Sequence, residues 1–430
     1  MKKTVKLISL LLCVCLLAVF VASCSSYGES VLTLADKSVS VNTYELLLSR
    51  MKGTLYTYGY DVNNEKFWKT IISADGATYD DYFTASILEQ ACRYVIAEYL
   101  FDRNGLVLTK ERIALVDEIM EKYVKLAGSK NALNSRLKEY GANYDTLRDL
   151  LLLETKIDML KDHLYGENGE KIDKSVREKY LKDNYVAFGQ IFVATYDYII
   201  DTDDFGDQVY YTDEKHTAIA YDKVNGKTKL DEYGKPVKDI LGNPAYFTED
   251  GKVAYDKVNG ILGYALNDDG SKKIKNKSAA EIKEIEKKVQ DYLKACNGNI
   301  DAFLEYAELY GEGDSDGEAM YLFSSKDYYA AMSESLAYLD DIAEKVENLG
   351  NEEVGYVRSD FGFHLVCKYE YEEGAYDNKK YESEFADFYV NLIAQLFDEE
   401  CKKYESQVVV NEDRVESAPT IADVGVNIQY

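Results

Sequence analysis

The stretch Glu353-Val-Gly-Tyr-Val-Arg-Ser-Asp-Phe-Gly-Phe-His-Leu-Val-Cys-Lys-Tyr369 reads as strand material, rich in the aromatic and β-branched residues that suit a pleated surface. Far upstream, Tyr185-Val-Ala-Phe-Gly-Gln-Ile-Phe-Val-Ala194 is an apolar strand, preceded by a short charged helix over 173–184. Between them lie helical patterns at 281–295 and 301–309, a short strand within 318–323, and another helical stretch over 335–347. Residues 173–370 therefore read as one α/β domain. Residues 196–275 interrupt it. They are rich in Tyr, Asp, Gly and Lys and repeat Ala-Tyr-Asp-Lys-Val-Asn-Gly at 220–226 and 254–260. Asn-Gly is a hairpin signal, so one or two inserted β-hairpins are expected after the first strand. Two copies are too few for a solenoid. The Asp-rich loops lack the EF-hand spacing.

Upstream, residues 31–172 read as a helical lobe. Val31–Leu34 alternates like a short strand, and Ser40-Val-Asn-Thr43 offers a cap for an amphipathic run from Tyr44 to Met51. Phe67 and Trp68 form a local apolar anchor. A strongly helical stretch, 79–103, stops at Asn104-Gly105. Thr109 caps a helix over 110–127, Gly141 stops one over 131–140, and Asn143 caps a last long helix. Downstream, residues 371–411 hold a long helix, 381–404, and the strand-like Gln407–Asn411. Residues 412–430 read as a loose tail.

The length, 430 residues, suits two or three domains at about 150 residues each. Asp and Glu outnumber Lys and Arg by 77 to 50, which argues against a nucleic-acid partner, whose phosphates need a basic surface. Three His leave little room for a His-rich metal site, and no cofactor motif appears. Nor is there a GxSxG or HExxH hydrolase signature. The first segment has Lys2, Lys3 and Lys6 ahead of an apolar run, Leu7–Ala22, too short for a spanning helix of roughly 20 residues. It closes on Val21-Ala-Ser-Cys24. This resembles a bacterial lipoprotein signal peptide over 1–23. The resemblance implies lipid on the Cys24 thiol, a tether over 24–30, and an extracytoplasmic body anchored to the cell membrane. Removing 1–23 takes three Lys and no acid, so the charge moves from −27 to −30. Cys92, Cys296, Cys367 and Cys401 remain, scattered, and read as buried free thiols.

The helical series, above all Leu137-Lys-Glu-Tyr-Gly-Ala-Asn-Tyr-Asp-Thr-Leu-Arg-Asp-Leu-Leu151, resembles the N-terminal chaperone domain of SurA and of PrsA-type lipoprotein foldases. Phe361-Gly-Phe-His-Leu-Val366, with the strand 185–194, resembles the last and first strands of a parvulin-type peptidyl-prolyl isomerase domain. The resemblance implies an α+β chain. A chaperone lobe would be completed by a returning helix and strand, with Val408–Val410 near Val31–Leu34. A parvulin-like domain would carry the hairpin insertion. It also implies His364 as one of two facing histidines. Gln190 stands where the family has the other, a departure that removes the tautomer control of a His pair. Asp316 (or Asp314) would match the family's acid or cysteine. Phe323, Tyr328 and Met332 would form the proline cup. The implied partners are newly exported, unfolded polypeptides, with no metal or cofactor. The competing expectations are an inactive holdase, and a surface lipoprotein that binds a small ligand or cell-wall glycan.

Overall fold

The structure is a computed structural model and describes residues 29–239, 242–313 and 315–430. The signal-like segment, Cys24 and Asp314 lie outside the described residues. The chain is α+β. In order, it runs β1 (Ser30–Leu34), β2 (Lys37–Ser40), α1 (Val41–Thr57), α2 (Tyr79–Arg103), α3 (Lys110–Ala127), α4 (Lys130–Leu137), α5 (Tyr144–Tyr165), α6 (Lys174–Asn184) and β3 (Tyr185–Ala194). After the insertion come α7 (Ala279–Cys296), α8 (Ile300–Tyr310), β4 (Met320–Phe323), α9 (Ala337–Glu347), β5 (Val354–Arg358), β6 (Gly362–Lys368), α10 (Phe388–Lys402) and β7 (Val409–Val410). Two compact units result: residues 29–177 with Ala386–Tyr430, and Glu178–Phe385.

The helical unit begins and ends its helices where local chemistry dictates. Thr78 and Asp81 close a capping box on α2, Thr109 accepts from Arg112 N, and Asn143 accepts from Asp145 N and Thr146 N. Gly141, left-handed at φ 67°, ends the single 3-10 turn that follows α4. The apolar stripes of α1, α2 and α5 meet in one core that includes Leu46, Ile87, Val95, Leu147 and Leu160. Burying each such side chain contributes about 1.5–3 kcal/mol. β7 pairs antiparallel with β1, Leu32 opposite Val410 and Thr33 opposite Val409, so the returning strand lies where expected. Two expectations are corrected. The returning helix starts at Phe388 rather than 381. Tyr381 and Phe385 instead sit in turns, each 4.9 Å from the Tyr321 ring in the other unit's aromatic cluster. Residues 412–430 are not a loose tail: Ile421, Val424 and Tyr430 are buried in the helical core.

The second unit is built on an antiparallel sheet of order β4-β3-β6-β5. Helices cover both faces. Ile191, Val193, Phe363 and Leu365 pack on Val289 of α7 and Phe303 of α8, while Val186, Phe188 and Val366 pack on Ile342 and Val346 of α9. That double cover explains why β3 is a near-continuous apolar run instead of an alternating one.

The insertion is a succession of short hairpins, more than the one or two expected. Pairing runs inward from 196–198 with 274–276, through 210–211 with 261–262, to 227–228 with 246–247. The two heptapeptide copies lie antiparallel. Asp222 N donates to Ala254 O and Asp256 N to Ala220 O, both at 2.9 Å, with Tyr221 bridged to Tyr255. The aspartates close their own turns. Asp222 accepts from Val224 N and Asn225 N, and Asp256 from Val258 N and Asn259 N. Hydrogen bonds from Asn225 and Asn259 hold these two carboxyls below their ordinary value.

Candidate functional site

β3 and β6 are neighbours at the middle of the sheet, and their register sets His364 opposite Phe192 and Val366 opposite Gln190. These four residues share one face of the sheet. On that face His364 Nδ1 lies 3.1 Å from Gln190 Oε1, and Nε2 lies 2.9 Å from Ser359 Oγ. The Gln190 oxygen can only accept, so Nδ1 carries the proton and Nε2 accepts the Ser359 hydroxyl proton. Ser359 Oγ also accepts from Phe361 N–H at 3.2 Å, and Gly362 O, at 3.5 Å, is a second, longer acceptor for its hydroxyl proton. Gln190 thus sets the tautomer of His364 through this contact.

The imidazole is 4% exposed. It lies between two rings: Phe192, with centroids 5.0 Å apart, and Tyr338 of α9, stacked at 5.1 Å and 22°. Burial pushes the His364 pKa down to about 4, so the ring is neutral at physiological pH. Above it opens a cleft of about 640 Å³. Tyr338, Ser359 and Phe361 supply its aromatic and hydroxyl walls, and Glu334, Asp341, Arg358 and Asp360 its charged rim. Phe361 is exposed, its ring edge-on to Tyr338 at 6.1 Å.

Asp316 takes a different place. Its Oδ1 accepts from Phe192 N at 3.0 Å and its Oδ2 from Gly313 N at 2.9 Å. Nearby, Glu312 accepts from Ala194 N at 2.9 Å, and Gly317 N donates to Gln190 O at 2.7 Å. β4 pairs only with residues 185–188 of β3, so beyond that point these carboxylates continue the ladder. Burial raises the Asp316 carboxyl above its ordinary value. Its contacts hold β3 in place and do not include the His364 ring.

The expected proline cup is not assembled around His364. Phe323 pairs in register with Tyr185, seven residues along β3 from Phe192. That odd spacing puts Phe323 on the opposite sheet face and roughly 23 Å along the strand. Its ring contacts Tyr185 at 5.2 Å and Tyr328 at 4.8 Å. Met332 is 64% exposed at the end of a one-turn helix, Tyr328–Met332. The residues that do surround His364 and that sequence reasoning missed are Ser359, Tyr338 and Phe192. Ser359 was within reach, since it precedes His364 by five residues across the Ser-Asp-Phe-Gly turn of a hairpin.

Chemically, the arrangement holds a hydroxyl at the wall of a partly aromatic cleft, oriented by a buried neutral imidazole. It offers neither a strong base nor an activated nucleophile. Rotation about an X-Pro bond requires neither, only preferential binding of the twisted imide over a barrier of about 18–20 kcal/mol. Among the described residues no three His, Cys, Asp or Glu gather as a metal site. Cys296, Cys367 and Cys401 are buried free thiols, their pKa values raised by burial, and Cys92 is half-buried. No protein-family model matches the chain, and no curated protein matches it in sequence. Among solved structures it is similar to the crystal structure of PrsA from Bacillus subtilis, at 15% identity and a TM-score of 0.18. The match covers 82% of this chain and 94% of that chain.

Proposed function

We propose that this protein is a folding factor for exported polypeptides whose central domain receives X-Pro segments in the cleft beside Ser359. The observation that carries this reading is the Gln190–His364–Ser359 chain of contacts on the central strands, ending in a hydroxyl at the cleft wall. Tyr338 and Phe361 give the cleft apolar surface on which a proline ring can rest. The signal-like segment supports placing the body outside the cytoplasmic membrane, held by lipid on Cys24. Labelling with a palmitate analogue tests the anchor, and a Cys24→Ala chain that still labels would remove it.

The activity is tested with a protease-coupled assay on X-Pro tetrapeptides. A rate above background that falls at least fivefold in Ser359→Ala is expected. A Ser359→Ala chain as fast as the parent would sink the assignment of the cleft.

A second reading has its own support. His364 is covered by Tyr338 and Phe192, Phe323 and Tyr328 pack together elsewhere, and Met332 is largely exposed. This favours a holdase whose central domain binds without turning over. Background rates, with aggregation of a reduced client still suppressed, would select that reading.

A further inference from the structure

The charged residues at the rim of the cleft beside Ser359 are separated by sign. Glu334 and Asp341 belong to the α9 wall. Glu334 lies in the 3-10 turn that leads into α9, and Asp341 follows Tyr338 by three positions, so Asp341 and Tyr338 share a helix face. Asp360 stands on the other wall, next to Ser359 in the turn between β5 and β6. Among the described residues none of these carboxylates has an ion-pair partner.

Arg358 is the one cation of this lining, and it is turned away. The β5–β6 register sets Val357 opposite His364 and Arg358 opposite Phe363. Directly opposed residues share a face and successive residues alternate, so Arg358 lies on the sheet face opposite to His364. Its guanidinium carbon stands 5.5 Å from the centroid of the Phe363 ring, which belongs to the core under α7 and α8. The side of the cleft that holds His364 therefore presents carboxylates and no cation to match them.

A proline ring resting on Tyr338 and Phe361 brings the residue bonded to its nitrogen to this rim. Carboxylates there attract an ammonium or guanidinium and repel another carboxylate. Each exposed contact of this kind changes affinity by about twofold to fivefold, so the rim as a whole favours Lys over Glu by about tenfold.

We infer that the cleft selects X-Pro segments in which X is lysine or arginine, with Glu334, Asp341 and Asp360 as the specificity-determining residues. The inference rests on the reading of this cleft as an X-Pro site and adds the class of segment it takes.

The protease-coupled assay tests it on tetrapeptides that differ only at X, as Lys, Gln or Glu. At low salt, kcat/KM for the Lys peptide is expected to exceed that for the Glu peptide about tenfold, with Gln between them, and the ratio is expected to shrink as salt screens the charges. In the triple variant Glu334→Gln, Asp341→Asn, Asp360→Asn the low-salt ratio is expected to fall to about twofold. Attraction by the net charge of the whole chain, −27, would survive that exchange almost intact. A triple variant that keeps the parent's ratio therefore overturns the inference. Equal kcat/KM for the three peptides, with turnover above background, also overturns it and leaves the X-Pro reading standing. Background rates on all three overturn the inference together with the isomerase reading. Should the triple variant fail to fold by circular dichroism, the three single variants decide: each is expected to lower the ratio about twofold, and no change in any of them overturns the inference.

Discussion

His364 Nδ1 and Gln190 Oε1 stand 3.1 Å apart across the two central strands of the sheet. The pair joins residues 174 positions apart and places a neutral imidazole between an amide that accepts and a hydroxyl that donates. A histidine at position 190 could present either a donor or an acceptor and could itself ionise. Glutamine cannot ionise, and with its Oε1 facing Nδ1 the tautomer of His364 does not vary with pH until the ring itself protonates.

That ionisation is linked to stability. The folded His364 has a pKa near 4, against 6.5 for an ordinary histidine. Between those values the unfolded chain binds the proton and the folded chain does not, so stability rises with pH across this window and falls on acidification. The full effect, reached near pH 4, is about 3 kcal/mol. Urea denaturation at pH 7 and pH 4.5 should show a larger acid loss in the parent than in His364→Gln. Equal losses would mean that the ring is not held neutral.

Removing either partner strands a buried ring nitrogen. Gln190→Leu and Ser359→Ala should each destabilise by about 1–3 kcal/mol. Gln190→His should cost less than Gln190→Leu, since it restores a partner for Nδ1. Denaturant midpoints measure all three.

Asp316 is predicted to act on β3 through its backbone and not on the substrate. Asp316→Ala leaves Phe192 N and Gly313 N without their acceptor and should cost about 2 kcal/mol. Asp316→Asn, which retains one acceptor oxygen, should recover part of that loss. An isomerase rate that collapses in Asp316→Asn at unchanged stability would return this residue to the reacting atoms.

The displaced cup gives a contrast within one assay. Met332→Ala should leave both stability and X-Pro turnover within error, because its side chain is largely exposed and does not line the cleft beside Ser359. Tyr338→Ala, which uncovers the imidazole and removes a cleft wall, should change turnover at least threefold. The opposite ranking would move the binding surface back to the face that holds Phe323.

Docking of 419–430 should be visible as stability. Ile421→Ala opens a cavity at a position with no exposure and should cost about 2–4 kcal/mol in thermal or urea unfolding. A loss below about 0.5 kcal/mol, as at an ordinary surface position, would show the segment detached in solution.

The sequence by itself determined the long helices of the first lobe and their order. Thr109, Gly141 and Asn143 act on backbone groups within a few residues, and the apolar spacing of 79–103 and 144–165 shows its face without help from the rest of the chain. The strand pair that brings His364 to Gln190 is expected only from the resemblance of 185–194 and 361–366 to the first and last strands of a parvulin-type domain; apolar pattern alone does not choose which strands are neighbours. Tertiary structure decided what surrounds that pair. Whether Phe323 shares a face with His364 depends on the β4–β3 register, in which one residue of shift exchanges the two faces, and nothing local to Phe323 sets it. Likewise Ile421, Val424 and Tyr430 show no periodicity of their own. Their surroundings come from α1, α2 and the residues that follow, among them Lys52, Thr84, Tyr123 and Tyr140, all far earlier in the chain, and only the folded chain brings them together.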